Sequence, residues 1–308
     1  MSSPVVDLAA AAAASAAEAQ AKLELLAQPI RRKRKEPSAP TLTPTTSTPN
    51  NDNAGIAVPS PSSSSPIPYE HSLQLVNPAI QSLVQDEVLA IFFPTTKQHG
   101  QHLYRQLPGP QPFSIVRKDL NTLANNEYWA CEKSDGERAM LYVSHSRKAT
   151  YLLDRKFLVK QLKHPMYAEL WGSLGDSLID GEMVTHEGVN SVGPQATFMI
   201  FDLILLNGDR IMEKRLSERL SSIGTGIVVP YRQRFPQYAA YPPFAPTPSL
   251  SASSADGSDH PIAIRAKAFH RKHHLKDGII DHIKPHGNGE YMYDDGKRRN
   301  KNDGVIFT

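Results

Sequence analysis

The chain has 308 residues, is 40% hydrophobic and carries a formal net charge of +3, so it can bury a sizeable core but has no global charge excess with which to attract a polyanion. Its one cysteine, Cys131, excludes an intrachain disulfide and a cysteine-rich zinc site. No apolar run reaches the roughly 18 residues of a membrane-spanning helix, and the early alanines lack the basic region and bulky apolar core of a secretory signal. Residues 1–68 read as a disordered tail. Asp7 to Gln28 is alanine-rich and at most a marginal helix, Arg31-Arg32-Lys33-Arg34-Lys35 is a basic run, and a Pro/Ser/Thr/Asn tract follows to Pro68, a composition that cannot offset the entropy of folding. From Asn77 the pattern changes: Ile80, Leu83, Val84, Val88 and Leu89 fall at helical spacing and predict an amphipathic helix. Short strands alternating with turns are expected from there to about Val229. Residues 236–261, rich in Pro, Ser and Ala, read as a low-complexity surface insertion, with ordered sequence resuming near Ile262.

The most informative string is Glu132-Lys133-Ser134-Asp135-Gly136-Glu137-Arg138, set between the strand-like flanks YWAC and AMLYV. Asp-Gly is tight-turn chemistry, so a strand–turn–strand unit is expected that points Lys133 and Arg138 into one pocket. A lysine amine attacks a phosphorus or carbonyl centre only when neutral, and partial burial beside another cation favours that form. Four further pieces follow in order: Arg155 in YLLDRKF, Glu182 in SLIDGEMV, Phe201 and Asp202 in TFMIFDLILLNGD, and Asp303 in KNDGVIFT. Asp180-Gly181 and Asp303-Gly304 read as turns at the ends of apolar strands. Asp135 reads as a turn-former, Glu137 as a solvated charge and Asp202 as a strand-end hydrogen-bonder. His270, His273, His274, His282 and His286 read as a mixed basic surface, because they lack companion cysteines and a regular ligand spacing.

In this order and spacing the motifs resemble those of the covalent nucleotidyltransferases, the polynucleotide ligases and mRNA capping guanylyltransferases. Pro108-Gly109-Pro110-Gln111-Pro112-Phe113-Ser114 and Ile264-Arg265-Ala266-Lys267-Ala268-Phe269 resemble segments of the capping branch, in its free-standing fungal type. The resemblance covers about residues 80 to 308. It implies an α+β nucleotidyltransferase domain of mainly antiparallel sheets flanked by helices, placed here at 77–308, and a nuclear mRNA guanylyltransferase. Lys133 is then the residue that becomes a lysyl–GMP phosphoramidate on reaction with GTP. Arg138 and Arg155 contact ribose and phosphates, Phe201 stacks on guanine, and Lys267 assists the triphosphate. Glu182 and Asp303 are acidic partners of Mg²⁺ or Mn²⁺ and of the amine. The implied acceptor is a 5′-diphosphate RNA end. A separate RNA triphosphatase subunit and the phosphorylated C-terminal domain of RNA polymerase II are the implied protein partners, and no membrane is involved.

A cysteine-dependent triphosphatase like that of the animal enzymes is not expected, because Cys131 lacks the phosphate-binding loop such a nucleophile needs. The resemblance also implies a lysine-bearing strand and an oligonucleotide-binding-fold domain after KNDGVIFT. Neither follows Thr308, so the chain is expected to be an amino-terminal piece of a longer enzyme. Two alternatives stay open on the residues alone: an ATP-dependent RNA or DNA ligase, and a truncated, inactive product that binds a partner.

Overall fold

A computed structural model describes residues 73–95, 103–104, 106–163, 174–186, 195–234, 262–296 and 298–308, all within one unit spanning Ile67–Thr308. The expected tail 1–68, its basic run 31–35 and the insertion 236–261 lie outside the described residues. The first helix, α1 (Pro78–Phe92), starts where its chemistry says it should. Asn77 Oδ1 accepts the Ile80 backbone N–H at 2.9 Å, and proline occupies the first turn, where its missing donor is harmless. Val84, Val88 and Leu89 are fully buried, whereas Leu83, expected on the same apolar face, is 52% exposed, and Gln85 is buried beside them.

The described strands form an eight-stranded and a five-stranded sheet. The larger sheet runs β1 (Leu73–Leu75), β5 (Val159–Leu162), β4 (Ala149–Leu153), β3 (Glu137–Ser144), β6 (Ser177–His186), β7 (Gln195–Leu206) and β8 (Asp209–Arg210), with β9 (Ala263–Ala266) parallel to β7. Its other pairings are antiparallel, in keeping with the expected class. The smaller sheet runs β10 (His270–Arg271), β2 (Trp129–Ser134), β13 (Arg299–Phe307), β12 (Glu290–Asp294) and β11 (Ile283–His286), antiparallel throughout.

Both faces of the larger sheet are covered, which explains its near-continuous apolar strands. Successive side chains of a strand point to opposite faces. Met140 and Tyr142 of β3 therefore join α1, Leu153 and Leu178 in one cluster. Ala139, Leu141 and Val143 join Ile179, Phe198, Ile223 and Tyr231 in the other. Ile223 and Tyr231 come from helical segments α2 and α3, here Leu216–Ile223 and Val229–Arg234, joined by a π-turn over Gly224–Val228. The expectation of strands and turns as far as Val229 is corrected there. Gly224 and Gly226 lie within the π-turn, and Pro230 stands in the first turn of α3, where its missing donor is harmless.

A second correction concerns Asp180-Gly181-Glu182. The three residues lie in the middle of β6, not in a turn. Gly181 is required by close approach: a Cβ there would sit 2.6 Å from Phe198 Cζ and 2.7 Å from the Met199 carbonyl oxygen. Asp303-Gly304 likewise lies inside β13, at a bulge discussed below. Among the described residues no helix is long and apolar enough to cross a membrane.

Candidate active site

Lys133 is the penultimate residue of β2 and Arg138 the second of β3, and the two strands are joined by Asp135-Gly136. The two strands do not pair with each other. β2 belongs to the smaller sheet and β3 to the larger, so the expected strand–turn–strand unit crosses between sheets. Turn chemistry is local, whereas pairing is decided by the partners each strand finds. The crossing is tight: a Cβ on Gly136 would lie 2.7 Å from the Met183 carbonyl oxygen and 3.2 Å from Glu182 Cδ. The absent side chain lets the turn lie directly on β6.

Lys133 Nζ donates to Asp303 Oδ2 at 2.6 Å, with both side chains about half exposed. Asp303 reaches it because β13 carries a bulge. Gly304 pairs with Lys133 and Asn302 with Ser134, leaving Asp303 as the extra residue. Asn302 Oδ1 accepts the Gly304 N–H at 2.9 Å, and Gly304 has φ +132°, a conformation open to glycine and strained for other residues.

Glu182 points from the larger sheet toward the same junction. Lys267 Nζ lies 2.6 Å from Glu182 Oε1, with 0% and 11% of the two side chains exposed, and donates to the Glu132 carbonyl oxygen at 3.0 Å. Burial pushes the Lys267 pKa down, but the carboxylates of Glu132 and Glu182 together outweigh it and hold it above the ordinary value. The buried ammonium therefore stays charged and ties β2 to β6.

Arg138 forks onto Asp180, Nε to Oδ1 at 3.1 Å and Nη2 to Oδ2 at 2.6 Å, and its Nη1 donates to the Pro110 carbonyl oxygen at 2.8 Å. Burial outweighs the guanidinium and pushes the Asp180 pKa up to about 6. The Arg138 guanidinium carbon lies 5.9 Å from the Phe201 ring centroid, within cation–π range. Phe201 is half-buried, in β7 where the pairing with β6 shifts register. Asp202 forks with Arg219, at 2.6 and 3.0 Å. Arg155 is exposed in the turn between β4 and β5, where its carbonyl oxygen accepts the Leu107 N–H at 3.3 Å. A cavity of about 330 Å³ lies beside Lys267, with Trp129, Ile200, Leu220 and Phe269 in its wall.

The structure thus joins Lys133 to Asp303, Glu182 to Lys267 and Arg138 to the vicinity of Phe201, and leaves Arg155 on an exposed turn. Sequence reasoning missed Asp180, Arg219 and Arg298. Asp180 had one available signal: on a strand it shares a face with Glu182, two residues on. Arg219 and Arg298 gave none for their pairings with Asp202 and Glu132, which are not adjacent in sequence.

Among the described residues no three His, Cys, Asp or Glu side chains converge as metal ligands. A divalent cation here would take its remaining oxygens from nucleotide phosphates and water, the usual habit of Mg²⁺. Glu182 and Asp303 are hard oxygen donors suited to it, and each is held by a lysine ammonium that would have to yield to a cation.

The mRNA capping enzyme, catalytic domain family matches residues 71–290. The chain is 37% identical over 144 residues to the mRNA-capping enzyme subunit alpha of Neurospora crassa, covering 42% of this chain and 36% of that protein. It is 33% identical over 135 residues to that of Schizosaccharomyces pombe, covering 40% and 33%. The subunit of Saccharomyces cerevisiae is 29% identical over 196 residues, covering 57% and 41%. The matches thus cover well under half the length of these curated relatives. A solved ligase domain of M. tuberculosis LigD is 23% identical over 32% of this chain and 37% of that one, with a TM-score of 0.25, too low to carry weight. With the family match spanning more than half of its residues, the chain belongs to the mRNA capping enzyme catalytic-domain family.

Proposed function

We propose that the protein is a GTP–RNA guanylyltransferase working through Lys133, with residues 77–308 supplying the nucleotidyltransferase domain. The observation that carries the reading is the 2.6 Å contact of Lys133 Nζ with Asp303 where the two sheets meet, in a chain of the capping family. Lys133, as the free amine, attacks the α-phosphorus of GTP. A P–N bond forms, the α–β phosphoanhydride P–O bond breaks, pyrophosphate leaves and the nitrogen gives up a proton to water. The 5′-diphosphate end of an RNA then attacks the same phosphorus, the P–N bond breaks with a proton returned to the lysine nitrogen, and GMP joins the RNA through a 5′–5′ triphosphate. Splitting one displacement into two covalent steps lowers the barrier of each.

The residues act by position and charge. Asp303 orients the amine. Arg138, held by Asp180, is aimed at ribose and phosphate, Arg155 is a second phosphate contact, and Phe201 is the stacking surface for guanine. Lys267 fixes Glu182 and lends positive charge toward the triphosphate. Glu182 and Asp303 are the residues that would hold Mg²⁺ or Mn²⁺. Such an ion, when bound, shields the phosphate oxygens from incoming electron density. The family setting supports an RNA partner, and the name "subunit alpha" of the relatives supports a separate partner subunit, proposed to be the RNA triphosphatase. The phosphorylated tail of RNA polymerase II is a further proposed partner, and the basic run Arg31–Lys35 is proposed as a nuclear localisation signal.

The test is labelling of the protein isolated from its own cells with [α-³²P]GTP or [α-³²P]ATP. An acid-labile, alkali-resistant adduct from GTP alone is expected. An adduct from ATP alone would replace capping with ligase chemistry.

A further inference from the structure

Glu132 stands next to Lys133 but faces the other way, as alternation along a strand requires. It is 1% exposed. Its Oε1 accepts from Arg298 Nη1 at 2.8 Å and from Ser134 Oγ at 3.1 Å. Arg298, 3% exposed, immediately precedes β13, the strand that delivers Asp303. Its guanidinium lies 4.7 Å from the Tyr293 ring centroid, and its backbone N–H donates to Asp295 Oδ1 at 2.9 Å. The contact between Glu132 and Arg298 thus joins the residue before the candidate nucleophile to the entry of the neighbouring strand.

That neighbouring strand has an unusual need. Register is normally set by an apolar/polar alternation, and a slip of one residue moves every side chain to the other face. The first half of β13 reads Arg299-Asn300-Lys301-Asn302-Asp303 and offers no such alternation. Yet its register must be held on both sides of the bulge, because Asp303 meets Lys133 only as the extra residue between Asn302 and Gly304. Buried ion pairs contribute little net stability, and fixing register is their best-attested use.

We infer that Glu132 and Arg298 are positioning residues, a buried register lock that sets β13 against β2 and so places Asp303 on the Lys133 amine. The inference rests on the reading of Lys133 as nucleophile, and neither residue touches substrate. The Glu132 carbonyl also receives Lys267, so the same short stretch of β2 governs where the Lys267–Glu182 pair stands.

The test compares wild type with Glu132→Leu/Arg298→Leu, which removes both partners of the pair together and leaves Glu182 as the carboxylate paired with Lys267. Glu132→Gln serves as a near-isosteric second variant. The melting temperature of the double variant should stay near that of wild type. Its kcat for adduct formation at saturating GTP should fall by roughly a hundredfold, the order expected for an ångström-scale displacement of a reacting group, with the KM for GTP little changed. Amide hydrogen exchange should speed up in β2 and around Asn302 and Gly304. Glu132→Gln should fall between the two. Unchanged kcat in a folded double variant would overturn the inference and leave the pair a stability feature. If wild type forms no adduct with GTP, the functional reading fails separately. Hydrogen exchange then decides: unchanged protection of β13 in the double variant overturns the lock, and faster exchange supports it.

Discussion

Replacing Lys267 with methionine tests how the two sheets are held together at the site. The ammonium is the shared partner of Glu182, at 2.6 Å, and of the Glu132 carbonyl, at 3.0 Å, and its side chain is 0% exposed. Lys267→Met keeps most of the side-chain volume and leaves the Glu182 carboxylate 11% exposed with its cation gone. Breaking a buried pair from one side costs about 3–5 kcal/mol, because the remaining charge is stranded. For a unit spanning residues 67–308, a loss of that size lowers Tm by about 6–20 °C. Lys267→Met/Glu182→Met removes both charges and should regain most of that loss, since an apolar pair of similar volume is often neutral or stabilising. Circular dichroism melts of wild type, both single variants and the double variant complete the cycle. Alkaline pH supplies a second check. The Lys267 pKa is raised in the fold, so the stability it contributes is fully present below the ordinary lysine value and is lost as pH rises through the folded one. Wild type should therefore lose stability more steeply than Lys267→Met above pH about 10.5. A Lys267→Met loss below about 1 kcal/mol, the scale of an exposed pair, would refute the account of this contact.

Other outcomes follow from individual residues. Gly181→Ala should cost about 1–3 kcal/mol by overpacking, because its Cβ would meet the Phe198 ring and a backbone carbonyl at 2.6–2.7 Å; urea unfolding reads this directly, and a neutral result would remove the close-approach explanation. His186 is buried, with Arg298 and Arg265 nearby, and burial first of all lowers its pKa to about 4. Since its folded value lies below the ordinary one, stability should be lost as pH falls from about 6.5 toward 4, by up to about 3 kcal/mol, and His186→Gln should flatten that dependence. Asp303→Asn should slow adduct formation by about 10²-fold or more through misplacement of the amine while the protein stays folded; a rate near wild type would make Asp303 a structural residue.

What the sequence revealed was local. Asn77, Pro78 and the spacing of Val84, Val88 and Leu89 make the start and buried face of α1 readable, because capping and periodicity act within a few turns. Lys133, Glu182, Phe201 and Asp303 could be picked out as motif residues from their order along the chain. Non-local choices stayed hidden. Nothing in Asp135-Gly136 says that β2 and β3 belong to different sheets, since each strand's partners lie far away in sequence. Asp180-Gly181-Glu182 looks like a turn until Phe198 is seen against Gly181. The burial of Lys267 and the partnership of Glu132 with Arg298 arise only when β9 and β13 close on β2, more than a hundred residues from where β2 is read.

The central claim is that Lys133 becomes covalently bonded to GMP. Its most direct measurement is mass-spectrometric mapping of the adduct after the native protein is incubated with GTP and Mg²⁺, then digested at alkaline pH to preserve a P–N bond. The account predicts a single GMP-modified peptide carrying the modification on Lys133, and none in Lys133→Arg, whose guanidinium stays protonated and cannot attack. A GMP adduct on any other residue, or one that persists in Lys133→Arg, would contradict it.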